Sequence, residues 1–211
     1  MVTPSQRVGA SGSKRQAMAA MIEEQGFGVV EGFVESALVA SLLDDLERSW
    51  RDEAFEAAKV GQGGDRQHCP SVRSDWIAWL DDDGLTASQM RYIERLEGLR
   101  LAINRRTMMG LFEWEGHLAV YPRGSFYRRH LDVFRHASER KVSTILYLNE
   151  GWKPGDGGEL RLYMGQGLED YIDVQPRAGT LVSFLCEDFY HEVLPAASER
   201  RSITGWFRQR S

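Results

Sequence analysis

A chain of 211 residues with 42% apolar side chains is long enough to bury a core as one domain and too apolar to be disordered. Its net charge of −5 speaks against nucleic acid as the main partner, and no run approaches the roughly 20 apolar residues of a membrane span. Cys69 and Cys186 are the only cysteines, which suits a reducing, cytoplasmic setting rather than a disulfide framework.

The polar stretch 1–14 has no apolar segment of the kind a secretory signal carries and is expected to be a disordered lead-in. From about Lys14 to Glu24, Met18, Met21 and Ile22 recur at helical spacing. Gly26 to Phe33 reads as a strand. Ser36 is a candidate N-cap for a long helix from Ala37 to about Lys59, with Leu38, Leu42, Leu46 and Trp50 on one stripe. Gly61-Gln-Gly-Gly64 lacks the Gly-Lys-Ser/Thr ending of a phosphate loop and is expected to be a flexible loop. Ser71 to Leu80 carries Trp76 and Trp79 among charges, either an ordinary strand or a peptide-gripping surface. Asp81-Asp82-Asp83-Gly84 is expected to be a solvated turn, because the spaced ligands of a calcium loop are absent. A second long helix spans Thr86 to Met108, its apolar stripe formed by Met90, Ile93, Leu96 and Ile103.

Beyond Gly116 the pattern turns to short strands: 117–121, 125–132, 142–149, 159–163, 171–174, 180–185, 191–194 and 200–208. Pro154-Gly-Asp-Gly-Gly158 and Pro176-Arg-Ala-Gly179 punctuate them as turns. Short strands behind long helices imply an α+β fold. The expected core is a double-stranded β-helix, a jelly-roll or cupin-like barrel over about 115–209, with helical support over about 15–110. Residues 15–211 are then expected to form a single domain.

The chemistry concentrates in Tyr121-Pro-Arg-Gly-Ser-Phe-Tyr-Arg-Arg-His130-Leu-Asp132. A His and an Asp two apart on a strand project from one face. A distant His191 would add a second imidazole, giving the two-His, one-carboxylate facial triad of non-haem Fe(II) oxygenases, with the opposite positions open. Of the other histidines, His68 and His136 are expected at the surface, and His117 begins a strand with no carboxylate nearby. Enzymes that couple such iron to O2 and 2-oxoglutarate need a buried cation for the distal carboxylate, and Arg suits it through its planar fork. Alternation places Arg200, Ser202 and Thr204 on one face and Arg201 on the other, so one arginine enters the barrel; spacing alone leaves open which.

The stretch from about Val72 to Phe207 resembles the 2-oxoglutarate- and Fe(II)-dependent prolyl 4-hydroxylases. Within them it is similar to the subgroup of animal hypoxia-inducible-factor prolyl hydroxylases and their bacterial relatives. The matching pieces occur in order: Arg73-Ser-Asp75 with Trp79, Tyr121-Pro, Tyr127-Arg-Arg-His130-Leu-Asp132, Tyr147-Leu-Asn149 with Trp152, Gly157-Gly-Glu-Leu-Arg-Leu162, His191-Glu-Val-Leu-Pro195 and Arg200-Arg-Ser-Ile-Thr-Gly-Trp206. The spacing from Tyr121 to His130 is one residue shorter than in the animal enzymes.

By position, the resemblance implies that His130, Asp132 and His191 bind iron and that Arg200 holds the 2-oxoglutarate carboxylate. Tyr147 would bond that same carboxylate, Tyr121 would line the pocket and Thr204 would stand just behind it. Arg73, Asp75 and Trp206 would engage substrate, and Gly61–Asp75 would close over it. The implied reaction uses Fe(II), 2-oxoglutarate and O2, with ascorbate as the expected reductant, and yields succinate, CO2 and a hydroxylated peptidyl proline, expected to be trans-4-hydroxyproline. The bacterial members point to elongation factor Tu as protein substrate. The expected enzyme is a cytoplasmic monomer with no nucleic-acid or membrane partner. The alternatives are a hydroxylase of a free amino acid or small metabolite, and a cupin-like sensor without turnover.

Overall fold

The computed structural model describes residues 11–60, 67–132, 139–165 and 167–210. Three helices precede the barrel or lie against it: α1 (Ser11–Gln25), α2 (Ser36–Arg51) and α3 (Ala87–Thr107). Between them run β1 (Phe27–Val30), β2 (Glu56–Ala57) and β3 (Trp76–Trp79). After α3 come β4 (Leu111–Tyr121), β5 (Tyr127–His130), β6 (Arg140–Tyr147), β7 (Leu160–Tyr163), β8 (Tyr171–Val174), β9 (Leu181–Leu185), β10 (His191–Val193) and β11 (Arg200–Gln209). They form a major sheet in the order β1-β9-β6-β11-β4-β3-β2 and a minor sheet in the order β5-β10-β7-β8, with neighbouring strands antiparallel throughout both. This is the jelly-roll of the double-stranded β-helix, with helices packed on its larger sheet.

Strand alternation divides the core in two. On β4, β6 and β11, Leu118, Val120, Val142, Leu146, Ile203 and Phe207 point toward Met18, Leu42, Leu46, Leu96 and Leu99 of the helices. The alternate residues Ala119, Tyr121, Ile145 and Tyr147 face the barrel interior, where Leu160, Leu162 and Val193 of the minor sheet meet them. A sheet covered on both faces therefore buries consecutive residues in its central strands, as in Ser143 to Tyr147.

Several boundaries move. The first ten residues of the expected lead-in lie outside the described residues, and α1 begins at Ser11. The second helix ends at Arg51 instead of running to Lys59: Glu53 takes a left-handed φ of 57°, and the chain reverses into β2. Ser36 is the first helical residue rather than the cap, which is Glu35, and Trp50 sits half out of the stripe. The third helix keeps its expected ends. Thr86 forms a capping box with Gln89, and Met108 closes it in the left-handed region. Its buried face is Tyr92, Leu96, Leu99 and Ile103, whereas Met90 is exposed. The buried Asp45 of α2 accepts the hydroxyls of Thr86 and Ser88, fastening the start of α3 to α2.

Candidate active site

The site forms where β5 and β10 pair. His191 and His130 are direct cross-strand partners, so both imidazoles arrive at one place. Each ring is oriented from behind by a backbone carbonyl two residues earlier: His130 Nδ1 lies 2.7 Å from the oxygen of Arg128, and His191 Nδ1 lies 3.1 Å from that of Phe189. Donation from Nδ1 to a carbonyl leaves Nε2 as the free lone pair, the arrangement found behind metal-bound histidines. Asp132 lies beyond the end of β5, so strand alternation does not explain its position, contrary to the expected strand through residue 132. The bend after His130 instead brings its Oδ1 to 3.6 Å from His130 Nε2 and its Oδ2 to 3.6 Å from His191 Nε2. One ligand atom from each residue fits within a mutual 4.8 Å, close enough to share one metal ion.

The protonation states suit a divalent cation. Burial alone would raise the Asp132 carboxyl, but His191, His130 and the hydroxyl of Ser143 outweigh it and hold it well below the usual carboxylate range. Burial, with His130 beside it, pushes His191 down to about 4. Near neutral pH the set therefore offers an anionic oxygen and a neutral His191 nitrogen, the forms a metal takes. Ser143 of β6 donates to Asp132 Oδ2 at 2.6 Å and lies 3.2 Å from Cys186 Sγ. Neither residue stood out in the sequence: Ser143 carries no motif, only the inward parity of its strand.

A cavity of about 420 Å³ opens over these three residues and extends along β11. Arg200, Thr204 and Trp206 all line it, as period-two alternation requires, while Arg201 turns outward to Glu47 and Glu199. Arg200 is 1% exposed, the largest of the fully buried side chains. Its Nε donates to the Gly158 carbonyl at 3.0 Å, and its Nη1 donates to Ser202 Oγ at 3.3 Å. The Gly157-Gly158 turn makes that carbonyl available. Both glycines have φ near +67°, and a Cβ on Gly157 would lie 2.4 Å from the oxygen of Pro195. The guanidinium also sits 4.8 Å from the ring centre of Tyr121 and 5.0 Å from that of Tyr147.

No carboxylate among the described residues pairs with Arg200. The buried hydroxyl of Tyr147 likewise has no partner among them, and burial pushes its phenol up to about 12 despite the nearby Arg200 charge. A cation without a counter-charge beside an unpaired phenol is what a dicarboxylate co-substrate would satisfy. Tyr147 stands beside Arg200 rather than on the cavity wall, whereas Tyr121 is on that wall.

The three residues expected to touch substrate fall differently. Trp206 lines the cavity under the guanidinium of Arg140, 3.6 Å above its ring. Arg73 reaches the wall, but Asp75 is 2% exposed and committed to it through two hydrogen bonds of 2.8 and 2.5 Å. His117 belongs to this wall as well. It is buried inside β4, its ring centre 5.0 Å from Trp79 and 5.5 Å from Trp206, with burial pushing it down to about 3. The missed signal was its even spacing, two residues from Ala119 and four from Tyr121, on the inward face. His68 is exposed; His136 and the Gly61–Gly64 loop lie outside the described residues.

Comparison with known proteins adds the family. The profile of the 2OG-Fe(II) oxygenase superfamily matches residues 116–208. The crystal structure of a Pseudomonas putida prolyl-4-hydroxylase superposes with a TM-score of 0.84 at 40% identity, covering 93% of this chain and 100% of that one. A Trichoplax adhaerens prolyl hydroxylase, solved with a hypoxia-inducible-factor oxygen degradation domain peptide fragment, gives a TM-score of 0.82 at 24% identity over 94% of this chain and 90% of that one. The Caenorhabditis elegans hypoxia-inducible factor prolyl hydroxylase is 30% identical over 90% of this chain, which spans 27% of that relative's length. Among the described residues, no helix is long and apolar enough to cross a membrane.

Proposed function

We propose that this chain, which belongs to the 2OG-Fe(II) oxygenase superfamily, hydroxylates a peptidyl proline in a reaction dependent on Fe(II), 2-oxoglutarate and O2. One observation carries the reading. The same cavity holds a His130–Asp132–His191 metal set and, along β11, a buried guanidinium with which no carboxylate among the described residues pairs. The relatives named as prolyl hydroxylases supply the substrate class.

When bound, Fe(II) with 2-oxoglutarate and O2 supplies the oxidising power that replaces a C–H bond by C–OH, releasing succinate and CO2. The chain's own part is binding, orientation and exclusion of water. His130, Asp132 and His191 would hold the metal, with Ser143 fixing one carboxylate oxygen. Arg200 would take the distal carboxylate of 2-oxoglutarate through its free guanidinium edge, with Tyr147 donating beside it and Tyr121 and Thr204 forming the adjacent wall. The aromatic wall of Trp79, His117 and Trp206 would receive the apolar pyrrolidine ring, and Arg73 with Asp75 would shape the approach of the peptide.

We assign elongation factor Tu as the protein substrate, trans-4-hydroxyproline as the product and ascorbate as the accessory reductant. The enzyme acts as a cytoplasmic monomer, with residues 15–211 as the catalytic unit. The test is mass spectrometry of elongation factor Tu after incubation with enzyme, Fe(II) and 2-oxoglutarate. A proline gaining one oxygen, lost with His130→Ala, is the expected result. Succinate production without a modified proline would move the substrate to another protein. Succinate production stimulated by free proline but by no peptide would overturn the peptidyl reading.

A further inference from the structure

On a regular strand Tyr127 and His130, three residues apart, would face opposite sides. In β5 they face the same side, and the register shows why. His191 pairs with His130 and Val193 with Tyr127, so two steps along β10 oppose three along β5. That is a β-bulge, and its extra residue re-aims the side chains that follow it. Both rings line the cavity and stack with centres 3.6 Å apart and planes at 16°. The Arg128 carbonyl that receives His130 Nδ1 belongs to the same bulge.

The Arg73 guanidinium lies 4.3 Å from the centre of the Tyr127 ring. Two groups this close to one ring centre cannot share a face without overlapping, so imidazole and guanidinium take opposite faces. Behind Arg73, the buried Asp75 holds the guanidinium by both oxygens. The surrounding backbone is tied to β5 as well: Arg73 forms a bridge with Tyr127, Arg128 N donates to Val72 O at 2.9 Å, and Ser74 N donates to Phe126 O at 3.1 Å. The order is thus carboxylate, guanidinium, phenol, imidazole, each member fixed by the one before it.

We infer that Asp75, Arg73 and Tyr127 are positioning residues for the iron ligand His130, acting on the metal centre before any peptide binds. The inference rests on the reading of His130 as a metal ligand, and it adds a role to Arg73 and Asp75, otherwise expected to meet substrate. A ligand imidazole free to rock about its Cβ–Cγ bond binds metal more weakly, and loss of an orienting partner of this kind reduces metal affinity by roughly 10–100-fold. The sign separates this role from simple electrostatics. Arg73 is a cation beside a cation site, so removing its charge would tighten metal binding, whereas loosening His130 weakens it.

The experiment is Mn(II) binding to peptide-free protein, followed by loss of the free-ion EPR signal. Arg73→Gln and Tyr127→Leu are expected to bind Mn(II) at least about tenfold more weakly than wild type, and Tyr127→Phe, which keeps the ring, within about twofold of it. Wild-type protein that bound no Mn(II) would sink the metal-site reading itself. Wild-type binding matched by both Arg73→Gln and Tyr127→Leu would overturn this inference alone, as would Tyr127→Phe binding as weakly as Tyr127→Leu. Circular dichroism identifies a variant that fails to fold; if Arg73→Gln does, the two Tyr127 variants decide.

Discussion

Replacing Arg200 by methionine should stabilise the ligand-free protein while destroying its response to 2-oxoglutarate. The guanidinium is 1% exposed, and its polar partners are a carbonyl and a hydroxyl, neither of them charged. An unpaired buried charge is costly, and apolar replacements of similar volume commonly gain about 1–2 kcal/mol. For a domain of this size that corresponds to a melting temperature higher by roughly 2–8 °C. Ligand reverses the order. At a concentration 100 times its dissociation constant, 2-oxoglutarate should stabilise the Mn(II)-loaded wild type by about 2.7 kcal/mol. The methionine variant loses a desolvated charge pair, so its affinity should fall by at least about 2 kcal/mol, or roughly 30-fold. Thermal melts of both proteins with Mn(II), with and without 2-oxoglutarate, measure both effects. A variant that melts below wild type without ligand, yet gains as much from 2-oxoglutarate, would refute the reasoning.

Three further outcomes follow from the same geometry. Ser143→Ala removes the 2.6 Å hydrogen bond to Asp132 and should weaken Mn(II) binding by roughly tenfold, with Ser143→Thr restoring most of it; isothermal titration reads both. His117 is buried and neutral with its pKa pushed down to about 3, so stability is full above the ordinary histidine value of 6.5 and falls as pH drops toward 3. At pH 5 this one group should have removed about 2 kcal/mol, and urea titrations at pH 8 and pH 5 should show a correspondingly smaller acid loss in His117→Phe. Asp45→Ala leaves the Thr86 and Ser88 hydroxyls without their buried acceptor and should cost about 2–3 kcal/mol in urea unfolding, with Mn(II) affinity unchanged.

Much of this site is written in local patterns. Period-two spacing put Arg200 and Thr204 on one face, and the barrel bears that out through Trp206. The helix over residues 87–107 was legible at both ends because Thr86 caps it by a side-chain bond. What spacing could not supply depends on chain elsewhere. The alternation argument for His130 and Asp132 brought the right pair together for an incomplete reason, because β5 ends at His130 and a bend delivers the carboxylate. The bulge that turns Tyr127 toward His130 exists only in the register with β10, which no single segment encodes. The end of α2 was missed because apolar periodicity ran on past Arg51, while the stop is a backbone reversal at Glu53. Ser143 and His117 acquire partners only when β6 and β4 close the barrel.

Two of the arginines that line the cavity show how the protein assigns different work to the same side chain. Arg73 and Arg200 are both largely withdrawn from water, and each would be expensive to bury alone. Arg73 has its counter-charge two residues along the chain, so its carboxylate is present from the moment of folding and its guanidinium is fixed against Tyr127. Arg200 has a carbonyl, a hydroxyl and two aromatic rings, enough to hold its direction but not to neutralise it. In the proposed function the first therefore belongs to the scaffold around His130, and the second would bind the co-substrate carboxylate, since no carboxylate among the described residues pairs with it. Exchanging the two conditions tests the distinction. An acidic residue introduced at Ser202, within reach of the Arg200 Nη1, should fill that role internally and raise the melting temperature. It should also compete with 2-oxoglutarate at its carboxylate end, raising the KM for 2-oxoglutarate while leaving Mn(II) affinity intact.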